Sequence, residues 1–211
     1  MNVLIIAIED MRFGPARLPK VLAAAGFRVA ALCPAENPLA HTSYLEQHFA
    51  LPQAKSAFRL AAAIHRAMLE WQPHLVVPGD EQVVALLHTL LHYLGGKHTL
   101  GWPATMIDTL QRSLGAAGQR SAMLLKNDTQ HLAKQIGVRV PDGREVRSLN
   151  DARQLARRVG FPLVVKKSFG SGGTGVKICH TEAQLAAAYA EMAAGPARPV
   201  KAWLRRLLGR D

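Results

Sequence analysis

Apolar and polar positions fall into two rhythms along the chain. In the first half, residues 3–8 (VLIIAI), Arg28–Cys33 and Leu75–Pro78 are short, nearly continuous apolar runs. Such runs suit strands covered on both faces, as in a parallel sheet. Between them, residues 17–26, 58–71 and 81–94 repeat apolar side chains every three or four positions, which predicts helices, the first closed by Gly26. Residues 35–57 carry weaker signals: a helix is predicted near 44–48 and an extended piece at 49–51. Strands alternating with helices of this length predict a small parallel wound α/β domain, whose ligands bind beyond the carboxyl ends of the strands.

Glycines then break the pattern at Gly95-Gly96, Gly101 and Gly115 to Gly118, with Pro103 among them. A domain boundary is expected near 112–120, giving segments 1–115, 116–192 and 193–211. The second segment reads as an α+β lobe. Residues 121–136 are helical in pattern with Gly137 as the stop, and 138–141 are extended. Ser148 or Asn150 can cap a helix running to Val159 and ended by Gly160, and Thr181 opens another through Met192.

Between those last two helices lies FPLVVKKSFGSGGTGVKIC, residues 161–179. Leu163, Val164 and Val165 read as a strand and 176–179 as its return partner. Gly170, Gly172, Gly173 and Gly175 leave the turn free to point consecutive N–H groups at one anion, and Lys166 adds a point charge. Gly170, Gly172 and Gly175 match GxGxxG literally, which would suggest a dinucleotide-binding oxidoreductase, but that fingerprint needs a helix after the loop and a strand follows. A P-loop needs Gly-Lys-Ser/Thr, whereas Val176 follows Gly175. The remaining readings are a flexible loop covering a nucleotide and a hairpin without a ligand.

Composition narrows the picture further. A formal charge of +11 with few aromatics attracts anions in general, and neither nucleic acid nor membrane is an expected partner. No apolar run is long enough to span a bilayer and no basic segment precedes the first strand, so a cytoplasmic protein is expected. Cys33 and Cys179 lack ligand spacing and read as buried thiols. His88 and His92 stand four apart on one helix, a spacing that can chelate metal, but without an acidic partner. Asp80 and Glu81 follow a strand at the sheet's carboxyl edge. Either they contact a substrate, or Asp80 caps the helix that begins there. Residues 199–210 form a basic amphipathic helix in pattern, suited to docking on protein.

The order of motifs resembles the ATP-grasp family, in particular its carbamoyl-phosphate-synthase-like and biotin-carboxylase-like ligases. Members carry a lysine opening a helix, a Gly-Ile/Val-x-x-Pro exit, a Gly-Phe-Pro-hydrophobic-Val-Lys strand and a Gly/Ser-rich loop ending in Gly-Val. The matching residues are Lys126, Gly137 to Pro141, Gly160 to Lys166, and the loop Gly170, Ser171, Gly172, Gly173, Thr174, Gly175 before Val176. The resemblance implies that the first domain is the pre-ATP-grasp domain and the second the N-terminal, ATP-lid lobe. It also implies that Lys126, Lys166 and the loop bind ATP, and that a carboxylate is activated as an acyl phosphate and then attacked by an amine or similar nucleophile. Leu125 and Lys167 depart from the pattern, standing where relatives often have an acidic residue and proline. Residues 193–211 contain a single acidic residue, Asp211, so the Mg²⁺ ligands of the family's C-terminal lobe are expected outside this chain, on a further lobe or second polypeptide docking on 199–210. The alternative is a non-catalytic binding module, a remnant of such a ligase.

Overall fold

The computed structural model describes residues 1–9, 13–51, 57–94, 101–115, 125–168 and 175–194. It contains two compact units, the first holding Met1–Gln119 and the second Arg120–Ala202.

The first unit is an α/β layer structure. In chain order it runs β1 (Asn2–Ile6), α1 (Phe13–Ala16), α2 (Leu18–Ala24), β2 (Arg28–Cys33), a 3-10 turn (Pro38–His41), β3 (Gln47–Ala50), α3 (Ala57–Trp71), β4 (Leu75–Pro78), α4 (Glu81–Leu94) and α5 (Ala104–Leu114). The four strands are parallel in the order β3-β2-β1-β4. The continuous apolar runs are explained by the two faces they fill. Val3, Ile5 and Ala7 pack with Val29, Ala31 and Leu39, while Leu4 and Ile6 pack with Leu32, Ile64 and Met68 on the opposite side. Each fully buried aliphatic side chain contributes about 1.5–3 kcal/mol, so β1 is the axis of this unit. Along α3, Leu60, Ile64, Met68 and Trp71 recur at helical spacing and turn the same face to that core.

Two expectations are corrected in the first unit. No helix forms at 44–48: the chain turns there and enters β3 at Gln47, held by Glu46 N–H to Val29 O at 2.8 Å and by the Ala30–Gln47 register. Pairing with β2 outweighs a weak local helix preference. α5 follows directly after Gly101 and Pro103, and the pattern gave no sign of it. Pro103 occupies the N-cap position, where its missing N–H costs nothing, so the residue that looked like a breaker is the start of a helix. α5 lies along β4, where Ser113 Oγ accepts the Val76 N–H at 2.9 Å.

The second unit contains α6 (Lys126–Gln135), α7 (Leu149–Val159), β5 (Leu163–Lys166), β6 (Val176–Cys179) and α8 (Glu182–Ala193). The expected helix at 121–136 is present from Lys126; Leu125 is extended, and 121–124 lie outside the described residues. Ser148 caps α7 by accepting the Asp151 N–H at 3.1 Å, and Thr181 caps α8 by accepting the Gln184 N–H at 3.2 Å. The Gln184 side chain reaches back to the His180 N–H at 2.7 Å, a reciprocal cap of the capping-box kind. β5 and β6 form an antiparallel hairpin with Leu163 opposite Cys179 and Lys166 opposite Val176. Its inner face, with Leu163, Val165 and Cys179, rests on Ala152 and Ala156 of α7 and Leu185 and Ala188 of α8. Its outer face carries Val164 and Ile178, which are 56% and 64% exposed. The segment 193–211 is outside this description beyond Ala194.

Candidate functional site

The hairpin positions the chemistry. Because side chains alternate along a strand and cross-strand partners share a face, Lys166 projects on the outer face with Val164, Val176 and Ile178. That arrangement places a cation at one end of an exposed apolar surface, next to the glycine-rich loop. The ladder continues one step past β5, with the Lys167 N–H donating to Gly175 O at 2.9 Å. Gly175 has φ +77, a backbone conformation that favours glycine, and the flexible Lys167 stem lies over it, with Cδ 3.0 Å from where a Cβ would stand. Gly170, Ser171, Gly172, Gly173 and Thr174 lie outside the described residues.

Lys126 reaches the same place from a distant part of the chain. It is the first residue of α6, and its N–H donates to Ser168 O at 3.0 Å. The helix start that carries Lys126 is therefore hydrogen-bonded to the segment two residues beyond Lys166. α6 also presents its N-terminal end, with its partial positive charge, at this point. Among the described residues Lys177 is ion-paired with Glu191 at 3.1 Å, whereas Lys166 and Lys167 have no carboxylate partner. The backbone thus brings the N-terminus of α6, which begins at Lys126, to the segment that follows Lys166 and Lys167, and a helix N-terminus favours an anion.

Asp80 and Glu81 belong to the first unit. Asp80 Oδ1 accepts the Val83 N–H at 2.8 Å and caps α4. Its Oδ2 accepts the N–H groups of Ile8 at 2.7 Å and Glu9 at 3.2 Å, tying the end of β1 to the start of α4. Around it Asn37 Nδ2 donates to Glu9 O at 2.6 Å and Gln82 Nε2 to Glu9 Oε1 at 3.2 Å. Glu81 opens α4, where a carboxylate complements the helix dipole.

The other candidates have plain locations. His88 is buried in the first unit's core, and the described residues contain no group of three His, Cys, Asp or Glu placed to hold a metal ion. Cys33 and Cys179 are free and buried. Burial pushes the Cys33 thiol up to about 12 and raises that of Cys179 as well. No helix of the described residues is long and apolar enough to cross a membrane. Sequence reasoning missed Ser168, whose contribution is a backbone carbonyl, and took Lys167 only as a departure from a pattern; side-chain identity gives no sign of either contact.

Residues 126–199, roughly a third of the chain, match the family model of the carbamoyl-phosphate synthase L chain ATP-binding domain. The large chain of carbamoyl phosphate synthase from Rubrobacter xylanophilus is 55% identical over 42 residues, which are 20% of this chain and 4% of that protein. The corresponding protein of Thermus thermophilus is 48% identical over 56 residues, 26% of this chain and 5% of its own length. Among solved structures, the biotin carboxylase domain of Hydrogenobacter thermophilus 2-oxoglutarate carboxylase, in complex with MgADP, ADP and bicarbonate, superposes with a TM-score of 0.59 at 17% identity. That match covers 99% of this chain and 42% of the other. Carboxyaminoimidazole ribonucleotide synthase from Aspergillus clavatus, complexed with ATP, gives 0.62 at 12% identity, covering 92% and 45%. The chain therefore spans less than half of the solved chains and about a twentieth of the curated relatives. It carries a fragment of ATP-grasp type, with the fold of those ligases and the motif-bearing segment of their ATP-binding domain.

Proposed function

We propose that the second unit is the nucleotide-binding lobe of an ATP-grasp ligase and that its ligand is ATP. The observation that carries the reading is the Lys126 N–H bond to Ser168 O, which joins two lysines forty residues apart in sequence to one glycine-loop base. Lys126 and Lys166 would neutralise the phosphate chain, and the loop of Gly170, Ser171, Gly172, Gly173, Thr174 and Gly175 would offer backbone N–H donors over it. Such groups stabilise charge that builds on a phosphoryl group in transfer. The exposed face of Val164, Val176 and Ile178 supplies an apolar surface for the base.

The reaction class proposed is carboxylate activation. A substrate carboxylate oxygen attacks the γ-phosphorus, ADP leaves, and an amine then displaces phosphate from the acyl phosphate. ATP enters such chemistry with Mg²⁺; lysines cannot coordinate it, and its carboxylate and amide ligands are assigned to a further lobe or a second polypeptide. That polypeptide is the proposed occupant of the 199–210 segment, in a cytoplasmic enzyme built from the segments 1–115, 116–192 and 193–211. For the amino or hydroxyl group of a substrate, Asp80 and Glu81 are the proposed contacts. Asp80 already accepts three backbone bonds, so substrate would use its one remaining lone pair.

Titration with a fluorescent ATP analogue tests the proposal. Lys126→Ala and Lys166→Ala should each weaken binding about tenfold or more, by loss of a charge-assisted contact. Unchanged affinity in both variants would remove its basis.

A further inference from the structure

We infer that the first unit carries a separate ligand site, at the opposite end of its sheet from Asp80, that takes a small monocarboxylate with an aliphatic body. The site lies in the first unit alone and does not depend on the nucleotide reading. A cleft of about 400 Å³ opens between the end of α3 and α5, at the amino-terminal end of the sheet, where Met1 precedes β1 and His74 precedes β4. Small-molecule sites have volumes of this order, with a mostly apolar lining and a few placed polar groups. Two contacts fix the order of side chains along the cleft. The His65 ring lies 4.9 Å from that of Trp102, just before α5, and Ser113 Oγ at the far end of α5 accepts the Val76 N–H. α3 and α5 therefore run in the same direction, with Met68, Leu69 and Met106 toward the Trp102 end of the cleft and Gln72, His74 and Arg112 toward the other.

The first group is apolar, and its two methionines can mould to a ligand's body. The second is a set of donors. His74 Nδ1 accepts the Asn2 N–H at 3.1 Å, so the neutral ring carries its proton on Nε2. The Arg112 guanidinium meets Asp108 at 2.9 Å, with side chains 66% and 61% exposed. So exposed a pair contributes little, and the guanidinium has further N–H donors for a second carboxylate. Gln72 is an independent sign. Its φ of +48 lies in the left-handed region, the one such non-glycine residue among those described, at a helix end that glycine would close without strain. An amide side chain stands there at a conformational cost, and it lines the cleft.

The test is NMR titration of the full chain, labelled with ¹³C in its methionine methyl groups, with hexanoate and with hexanol as probes. Met68→Leu and Met106→Leu assign the signals, and circular dichroism melts confirm that each variant is folded. Hexanoate should shift the Met68 and Met106 methyl signals saturably, with a Kd of about 1 mM or tighter, and hexanol should bind about fivefold more weakly. Arg112→Gln should weaken hexanoate about fivefold and leave hexanol unchanged. Gln72→Gly should raise the melting temperature while weakening hexanoate, an opposition that a purely structural role does not produce. Absence of saturable shifts with hexanoate overturns the site. Equal affinity for hexanoate and hexanol, or an Arg112→Gln chain that binds hexanoate like the unaltered one, overturns the carboxylate assignment. Unchanged hexanoate affinity in Gln72→Gly removes Gln72 from the site.

Discussion

Replacing Asp80 separates its structural work from any contact with substrate. Its carboxylate accepts three backbone N–H groups, from Val83 at 2.8 Å, Ile8 at 2.7 Å and Glu9 at 3.2 Å. Losing the helix cap costs about 1 kcal/mol. Leaving two further half-buried donors without an acceptor costs about 1 kcal/mol each, so Asp80→Ala should lose about 3 kcal/mol. Asp80→Asn keeps one oxygen for the cap but turns an amide NH₂ toward Ile8 and Glu9, so it should still lose about 2 kcal/mol. Urea unfolding followed by tryptophan fluorescence reads this, because Trp71 and Trp102 both lie in the first unit's core. With a slope of about 1.5 kcal/mol/M, the Asp80→Ala midpoint falls by about 2 M without change of slope. An Asp80→Ala midpoint within about 0.3 M of the unaltered chain refutes the reasoning, and so does an Asp80→Asn protein as stable as the original.

Other substitutions probe packing and ionisation. Gly79→Ala puts a methyl group 2.9 Å from Ile6 O and 3.1 Å from both Ala7 Cβ and Pro15 Cγ, and should cost about 1–3 kcal/mol in the same assay; a neutral result means that the turn relaxes freely. Leu185→Ala empties the largest buried side chain of the second unit's core and should lose about 3 kcal/mol, read as a lowered hydrogen-exchange barrier in β5 and α8. The Cys33 thiol rises from 9.0 to about 12 in the fold, so the unfolded chain releases its proton first as pH climbs. Its contribution is complete below pH 9 and lost between 9 and about 12, so Cys33→Ala should flatten alkaline destabilisation in that window. Rapid labelling of native Cys33 by a thiol reagent at about pH 8 contradicts the burial.

How much was legible depended on where each element's stabilisation resides. β2, β4 and α4 begin and end where the residue pattern places them, because uninterrupted apolar runs and a 3.6-residue repeat both record burial directly. Ser148 and Thr181 were readable as caps because capping is a local exchange between a hydroxyl and a nearby N–H. β3 was legible only as an extended piece at 49–51, and its start at Gln47 was not, since it is stabilised by hydrogen bonds to β2; α5 was obscured by a proline that permits a start as readily as it forbids a middle. At the candidate site, the register of Lys126 with Lys166 was visible in motif spacing. The bond that ties the start of α6 to the end of the β5 segment accepts at a Ser168 carbonyl, a group common to every residue type that leaves no trace in composition.

The contact between Ser113 and Val76 limits how the parallel sheet can grow. On β4 the Val76 amide is already engaged and Pro78 has none to offer, so that rim is a poor template for another strand. Addition of a strand, whether by insertion during evolution, exchange between copies or aberrant association, is then directed to β3. That border is four residues long and displays Gln47 and His48, a short and hydrophilic invitation.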